Sequence, residues 1–286
     1  IDRPYGLSSW RTSSYYAVFF NQSKNLALQD PAVREALTVA IDRDGLVGQV
    51  FGAGNAGAVP DYGPIPPDAP YYAAPASAGA SASGPAAAES LLDNAGWTVS
   101  SSTGLRAKTV HGSVIPLTLE LTVPQIAFLT KTAEFLRMAW TAIGVQVNVT
   151  ADPPGDITAN TIKNRDYEAL LFGNALGPSS DLYSFWDSSQ RFYPGLNLAI
   201  LGDNAVDSPI EAARQSSSTD VAAADLAHAQ QEIESDYPAV FLYSPDYLYA
   251  SGANIRGIAT SSVLTDPSDR FRDVSSWYLN TARVLK

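Results

Sequence analysis

Residues 117–149, LTLELTVPQIAFLTKTAEFLRMAWTAIGVQVNV, decide the fold of this chain. Over 117–123 apolar and polar residues alternate, the two-residue period of a strand. From Pro124 to Ala142 the apolar positions Ile126, Leu129, Ala133, Leu136 and Trp140 recur at helical spacing, and 145–149 returns to a strand pattern. A strand, a helix of this length and a second strand make a βαβ unit, whose right-handed crossover lays the two strands parallel. The expected class is α/β, a mixed sheet with flanking helices.

Towards the amino terminus, YYAVFFN at 15–21 is aromatic and β-branched and predicts a buried strand ending in a polar turn. Asp30 ahead of Pro31 is the arrangement of a helix N-cap followed by proline at the first helical position. Val33, Ala36, Leu37, Ala40 and Ile41, continued by Leu46, Val47 and Val50, predict one core helix of about fifteen to twenty residues. Arg34, Glu35, Asp42 and Arg43 would take its solvated side.

Between 52 and 85 the composition turns to Gly, Ala, Pro and Ser, with GPIPP at 63–67 and ASAGASASG at 76–84. This predicts a long irregular excursion, its first part anchored by Tyr62, Tyr71 and Tyr72, its Ala/Ser/Gly part mobile. A short helix over 86–95 closes at Gly96. Beyond the βαβ unit, 157–163 reads as a helix and 169–172 as a buried strand. Ser208-Pro209 and Asp220 read as starts of two helices ending near Tyr237, and AVFLY at 239–243 as a final strand.

The composition excludes several function classes. With 29 acidic against 18 basic residues, a formal charge of -11 and no basic stripe, nucleic acid is not an expected partner. The absence of cysteine removes disulfides, thiolate metal sites and cysteine nucleophiles. His111 and His228 stand in no zinc-binding spacing, so neither a metal site nor a cofactor is expected. The longest apolar runs, such as 36–41, fall far short of the roughly 20 residues that cross a bilayer. No charged and then apolar leader opens the sequence, so the chain is expected to begin after a removed signal or inside a longer protein.

Catalytic constellations are nearly missing. There is no G-x-x-x-x-G-K-[ST] or G-x-S-x-G. Gly52, Gly54 and Gly57 are spaced like part of a phosphate loop, but they follow a helix where that loop follows a strand. Asp42/Asp44 and Glu232/Glu234 sit two apart on predicted helices, on different faces. What stands out is a supply of aromatic and amide side chains in loops: Tyr183, Phe185, Trp186, Phe192, Tyr193 and Asn197. Such groups suit a small-molecule cleft, and they equally suit a core beneath a long loop.

The order of segments resembles the second half of the family 5 solute-binding proteins, the peptide, nickel and oligosaccharide receptors of ABC importers. The likeness is carried by YYAVFFN, DPAVREALTVAIDRDGLVGQVFGAG (30–54), GPIPP and AAAESLLDNAGW (86–97). It continues through SSDLYSFWDSSQ (179–190), PGLNLAIL (194–201), DSPIEAAR (207–214), QQEIESDYPAVFLY (230–243) and Trp277-Tyr278. The resemblance implies the second lobe of a periplasmic-binding-protein type II fold. Residues 1–9 would then be a crossing segment from a missing first lobe, 10–252 the inserted carboxy-terminal lobe with a mobile excursion at 73–85, and 253–286 a return segment. It further implies an extracytoplasmic, non-enzymatic receptor that captures a solute between its lobes and delivers it to a membrane permease. The expected ligand contacts are Phe172, Asn174, Asp181, Tyr183, Trp186 and Asn197, with Trp186 as the stacking wall. The acidic anchor of peptide-binding relatives has no counterpart in 174–178, and Asp181 is followed by Leu182 instead of proline. The ligand class therefore stays open among peptides, sugars and other small polar solutes, with nickel disfavoured by the sparse histidines. An extracellular hydrolase and a structural or adhesive surface domain are the alternatives.

Overall fold

The computed structural model describes residues 5–52, 57–74, 83–101 and 103–279. In chain order the elements are β1 (Tyr5–Trp10), β2 (Ser14–Phe20), α1 (Pro31–Val39), α2 (Arg43–Phe51), β3 (Ala58–Pro60) and α3 (Pro85–Asn94). Then come β4 (Thr98–Val99), β5 (Arg106–Val110), β6 (Ser113–Pro116), β7 (Thr118–Pro124), α4 (Ala127–Ala142) and β8 (Gln146–Asp152). A short turn α5 (Pro154–Asp156) runs into a π-helical stretch, Ile157–Ile162, before β9 (Ala169–Ala175) and α6 (Tyr183–Trp186). The chain closes with α7 (Asn204–Gln215), α8 (Thr219–Asp236), β10 (Ala239–Pro245), β11 (Tyr247–Gly252), β12 (Ile255–Arg256) and β13 (Tyr278–Leu279).

The central sheet has six strands in the order β3-β10-β2-β9-β7-β8. The βαβ unit is as the sequence predicts: β7 and β8 pair in parallel from Thr118↔Gln146 to Pro124↔Asp152, with α4 as the crossover. β2 runs antiparallel to both β9 and β10, so the sheet is mixed. Alternation along β2 sorts its side chains between two cores. Val18 and Phe20 join one formed with α1 to α4, while Tyr15, Ala17 and Phe19 join the other, formed with α6, α7 and α8. Both faces of the sheet are covered, which is why β2 reads as a continuous apolar run.

Several local expectations are corrected. The single helix from Pro31 breaks at Ala40–Asp42, because Asp42 takes an extended ψ of 97° and accepts a hydrogen bond from the Gly45 amide, capping α2. Arg34 and Arg43 are not solvated. Arg34 donates to the Asp236 carboxylate at 2.7 Å and to the Leu28 carbonyl at 2.9 Å; Arg43 donates to the Phe241 carbonyl at 2.7 Å. Helix α7 starts at Asn204, capped by Asp203, and carries Pro209 inside it. Of the excursion expected to be mobile, 75–82 lies outside the described residues.

Three sheets were not legible, among them the short antiparallel pair β12-β13. Another is β4-β5-β6; the third is an antiparallel ribbon in which β1 and β11 pair from Tyr5↔Gly252 to Trp10↔Tyr247. Trp10 anchors the ribbon: it is buried, donates its indole N–H to the Ala259 carbonyl at 3.0 Å, and packs on Tyr247 and Tyr249.

Candidate functional site

The crevice follows from strand direction. β7 and β9 are parallel and end at Pro124 and Ala175, and antiparallel β2 begins beside them at Ser14. After β7 the chain climbs through α4 on one face, whereas after β8 it descends through the π-helical stretch on the other, where Ile157 and Ile162 join the second core. Connections that diverge to opposite faces leave a gap outside the carboxyl ends of the strands, the usual ligand position in open α/β sheets. Here the gap is a groove of about 230 Å³. Leu129 of α4 and Ile126 just before it form one wall, Pro154 and Thr158 the other, and Ser14, Tyr16, Phe172, Gly173 and Asn174 the floor.

The floor is built from one cross-strand pair. Tyr16 lies opposite Gly173, and a Cβ on that glycine would come within 2.7 Å of the Tyr16 ring. The ring is held edge-on by Phe128 at 5.3 Å and lies 5.6 Å from Tyr243. Ser14 and Tyr16 also border a second groove of about 270 Å³ on the side of β10, with Thr12, Asp246, Tyr247 and 264–267. Its two carboxylates already have partners. Asp246 is paired with Arg11 at 2.7 Å, and hydrogen bonds from Ser268 hold the Asp266 carboxyl below its ordinary range.

The residues expected to contact a ligand fall in three places. Phe172 and Asn174 line the first groove, where the Asn174 amide donates to the Tyr15 hydroxyl at 2.8 Å. Asp181 borders a separate hollow beside the α7–α8 turn, 3.4 Å from Arg214, whose guanidinium stacks on Tyr183 at 4.1 Å. Trp186 and Asn197 are core residues. The Trp186 ring is fully buried against Phe19 and Phe241 and donates to the same Tyr15 hydroxyl at 3.2 Å, so it presents no face for stacking. The two N–H groups of the Asn197 amide serve the carbonyls of Trp186, Asp187 and Leu201, one of them shared between two, and its oxygen accepts from the Leu201 amide, knotting the loop after α6. Ser14, Tyr16, Ile126, Leu129 and Gly173 also line the first groove without being singled out by the sequence, because strand and helix patterns report burial and say nothing about which end of an element stays open.

Burial dominates the electrostatics of the interior. It drives the Tyr15 hydroxyl upward, against the hydrogen bonds from Asn174 and Trp186. Asp61, fully buried, is pushed up to about 8 by desolvation although the amides of Tyr62 and Gly63 donate to it. Its Oδ2 has no partner among the described residues. Desolvation also raises Glu234 to about 7 and lowers Arg43 to about 10. None of these groups borders either groove. Among the described residues no cluster of three or more His, Cys, Asp or Glu could hold a metal, and no helix is long and apolar enough to cross a membrane.

The sequence matches the model of the bacterial extracellular solute-binding proteins, family 5 Middle, over residues 5–193. The chain belongs to that family. This family 5 chain is 28% identical over 260 residues to Protein XP55 of Streptomyces lividans, covering 89% of the chain and 45% of that protein. It is 25% identical over 283 residues to the oligopeptide-binding protein AppA of Bacillus subtilis, covering 93% of the chain and 47% of AppA. The family 5 chain thus spans about half the length of the curated relatives it matches. The solved structure of Bacillus subtilis AppA, in complex with a nonapeptide, superposes with a TM-score of 0.79 at 23% identity, over 97% of this chain and 53% of that one. NikZ of Campylobacter jejuni, in complex with Ni(L-His), gives 0.75 at 22% identity, over 96% and 54%. At these identities the two superpositions bear on fold: a mixed α/β sheet with flanking helices, as expected.

Proposed function

We propose that this chain is the carboxy-terminal lobe of a receptor for an ABC importer, and that it holds a peptide or other small polar solute against the groove floored by Tyr16 and Gly173. A first lobe outside this sequence closes over the solute, and the closed shape is what a membrane permease recognises. The receptor works outside the cytoplasm. The lobe is assigned to residues 10–252, with 1–9 and 253–286 as the segments that connect it to the first lobe.

The carrying observation is where the chain crosses. β1 and β11 pair along their full length, and the second groove opens at the base of that ribbon, at Asp246 and Tyr247. Chain segments that leave a domain side by side are what an inserted domain requires. Tyr5, Leu7 and Leu248 on the ribbon and Tyr278 and Leu279 near the end are exposed apolar residues, and a neighbouring lobe would cover them.

The test is calorimetry of one peptide, a nonapeptide of mixed sequence, against this 286-residue chain and against the longer protein carrying the first lobe. Contacts divided between two lobes predict much weaker binding by the chain alone. Equal dissociation constants would sink the two-lobe reading.

A further inference from the structure

The groove outside β7 and β9 has a chemical character that narrows its ligand. None of its lining residues carries a charge at neutral pH: the walls are Ile126, Leu129, Pro124 and Pro154, and the floor is Phe172 and Tyr16. Polar capacity lies mainly in the floor; the one wall hydroxyl, Thr158, donates to the Pro154 carbonyl at 3.1 Å. The Ser14 and Tyr16 hydroxyls have no hydrogen-bond partner among the described residues, and Asn174 has committed its amide N–H to Tyr15 while its carbonyl oxygen has no described partner.

Resting on the reading of this crevice as a ligand site, we propose that the groove selects an uncharged, ring-sized apolar side chain of a peptide and discriminates against an acidic one. The volume of about 230 Å³ exceeds the ~150 Å³ that suffices for benzene in an apolar protein cavity. A carboxylate placed there would lose its water and find no cation among the lining residues. The open hydroxyls of Ser14 and Tyr16 suit the peptide backbone beside that side chain, whose carbonyl and amide groups also need partners once water leaves. Tyr16 is the specificity-determining residue. Its ring can lie across the floor because position 173 is glycine, which brings an apolar surface under the ligand where any Cβ would displace it.

The experiment uses the 15N-labelled 286-residue chain and two probes, the tripeptides Ala-Phe-Ala and Ala-Glu-Ala, followed at the amides of Gly173 and Asn174. Ala-Phe-Ala is expected to bind at least tenfold more tightly. Ile126→Lys, at a half-exposed position on the rim, adds a cation without opening the core and is expected to bring the ratio towards one at unchanged melting temperature. Equal affinity of the two peptides at these amides overturns the selectivity while leaving the crevice as the ligand site. With the peptides raised to millimolar concentration, which allows for the weaker binding expected of the chain alone, perturbations elsewhere only, or none with either peptide, overturn the ligand-site reading itself and the selectivity with it.

Discussion

The Tyr16 ring occupies the space a side chain at position 173 would need: an added Cβ would meet the ring carbon Cε1 at 2.7 Å. Contacts that short are not tolerated, so the ring must move. Gly173→Ala is therefore expected to cost about 1–3 kcal/mol, the range for forced overpacking, read as a lowered urea midpoint at unchanged slope. Shifted resonances of Tyr16 and Phe128 would locate the effect, because these two rings are in contact. An unchanged midpoint would show that the floor is looser than the geometry implies.

Trp186 is a structural residue in this fold. Removing its ring leaves a cavity between Phe19 and Phe241 and takes one of two donors from the Tyr15 hydroxyl. Trp186→Ala should destabilise the chain by roughly 3–5 kcal/mol, as large-to-small core changes do, measured by denaturant unfolding. Stability equal to wild type would return Trp186 to the list of candidate ligand contacts.

Asn197 makes an equally local argument. Its amide closes three carbonyls and one N–H in a buried loop. Asn197→Ala would strand those groups, at about 1–3 kcal/mol for each one that finds no water. Asn197→Asp keeps the acceptor for the Leu201 amide but sets a carboxylate oxygen against the three carbonyls that the amide N–H groups serve, so it should be no better tolerated. Thermal unfolding of the two variants decides this, and a milder effect for the aspartate would contradict the hydrogen-bond pattern.

The pH dependence of stability has a definite sign. Asp61 stands near 8 in the fold, against about 3.9 for an exposed aspartate in the unfolded chain. Between these values the folded state holds a proton that the unfolded state has released, so stability falls as pH rises. The contribution is fully present below about pH 4 and is lost as pH climbs through 8. Glu234, raised to about 7, acts in the same direction. Asp61→Asn should flatten the decline of the urea midpoint between pH 5 and 8, leaving the smaller slope from Glu234. A variant with the wild-type slope would show that Asp61 is ionised in the fold.

The elements legible in the sequence were those whose stability is local or periodic. The βαβ unit at 117–149 carried strand and helix periods long enough to exclude the alternatives, and Asp30-Pro31 marked a helix start by hydrogen bonding within four residues. The order of motifs carried the family. What the tertiary structure decided is of another kind. Whether Arg34 and Arg43 face water depended on the Asp236 carboxylate and the Phe241 carbonyl, each about two hundred residues away. The ribbon of β1 with β11 joins residues about 240 apart, and its exposed edges leave only a weak apolar pattern. For the site the division is sharper still. An aromatic residue in a loop has the same composition whether it lines a cleft or fills a core, and only the edge at which β7 and β9 end and β2 begins placed Tyr16, Phe172 and Asn174 at the open side while burying Trp186 beneath it.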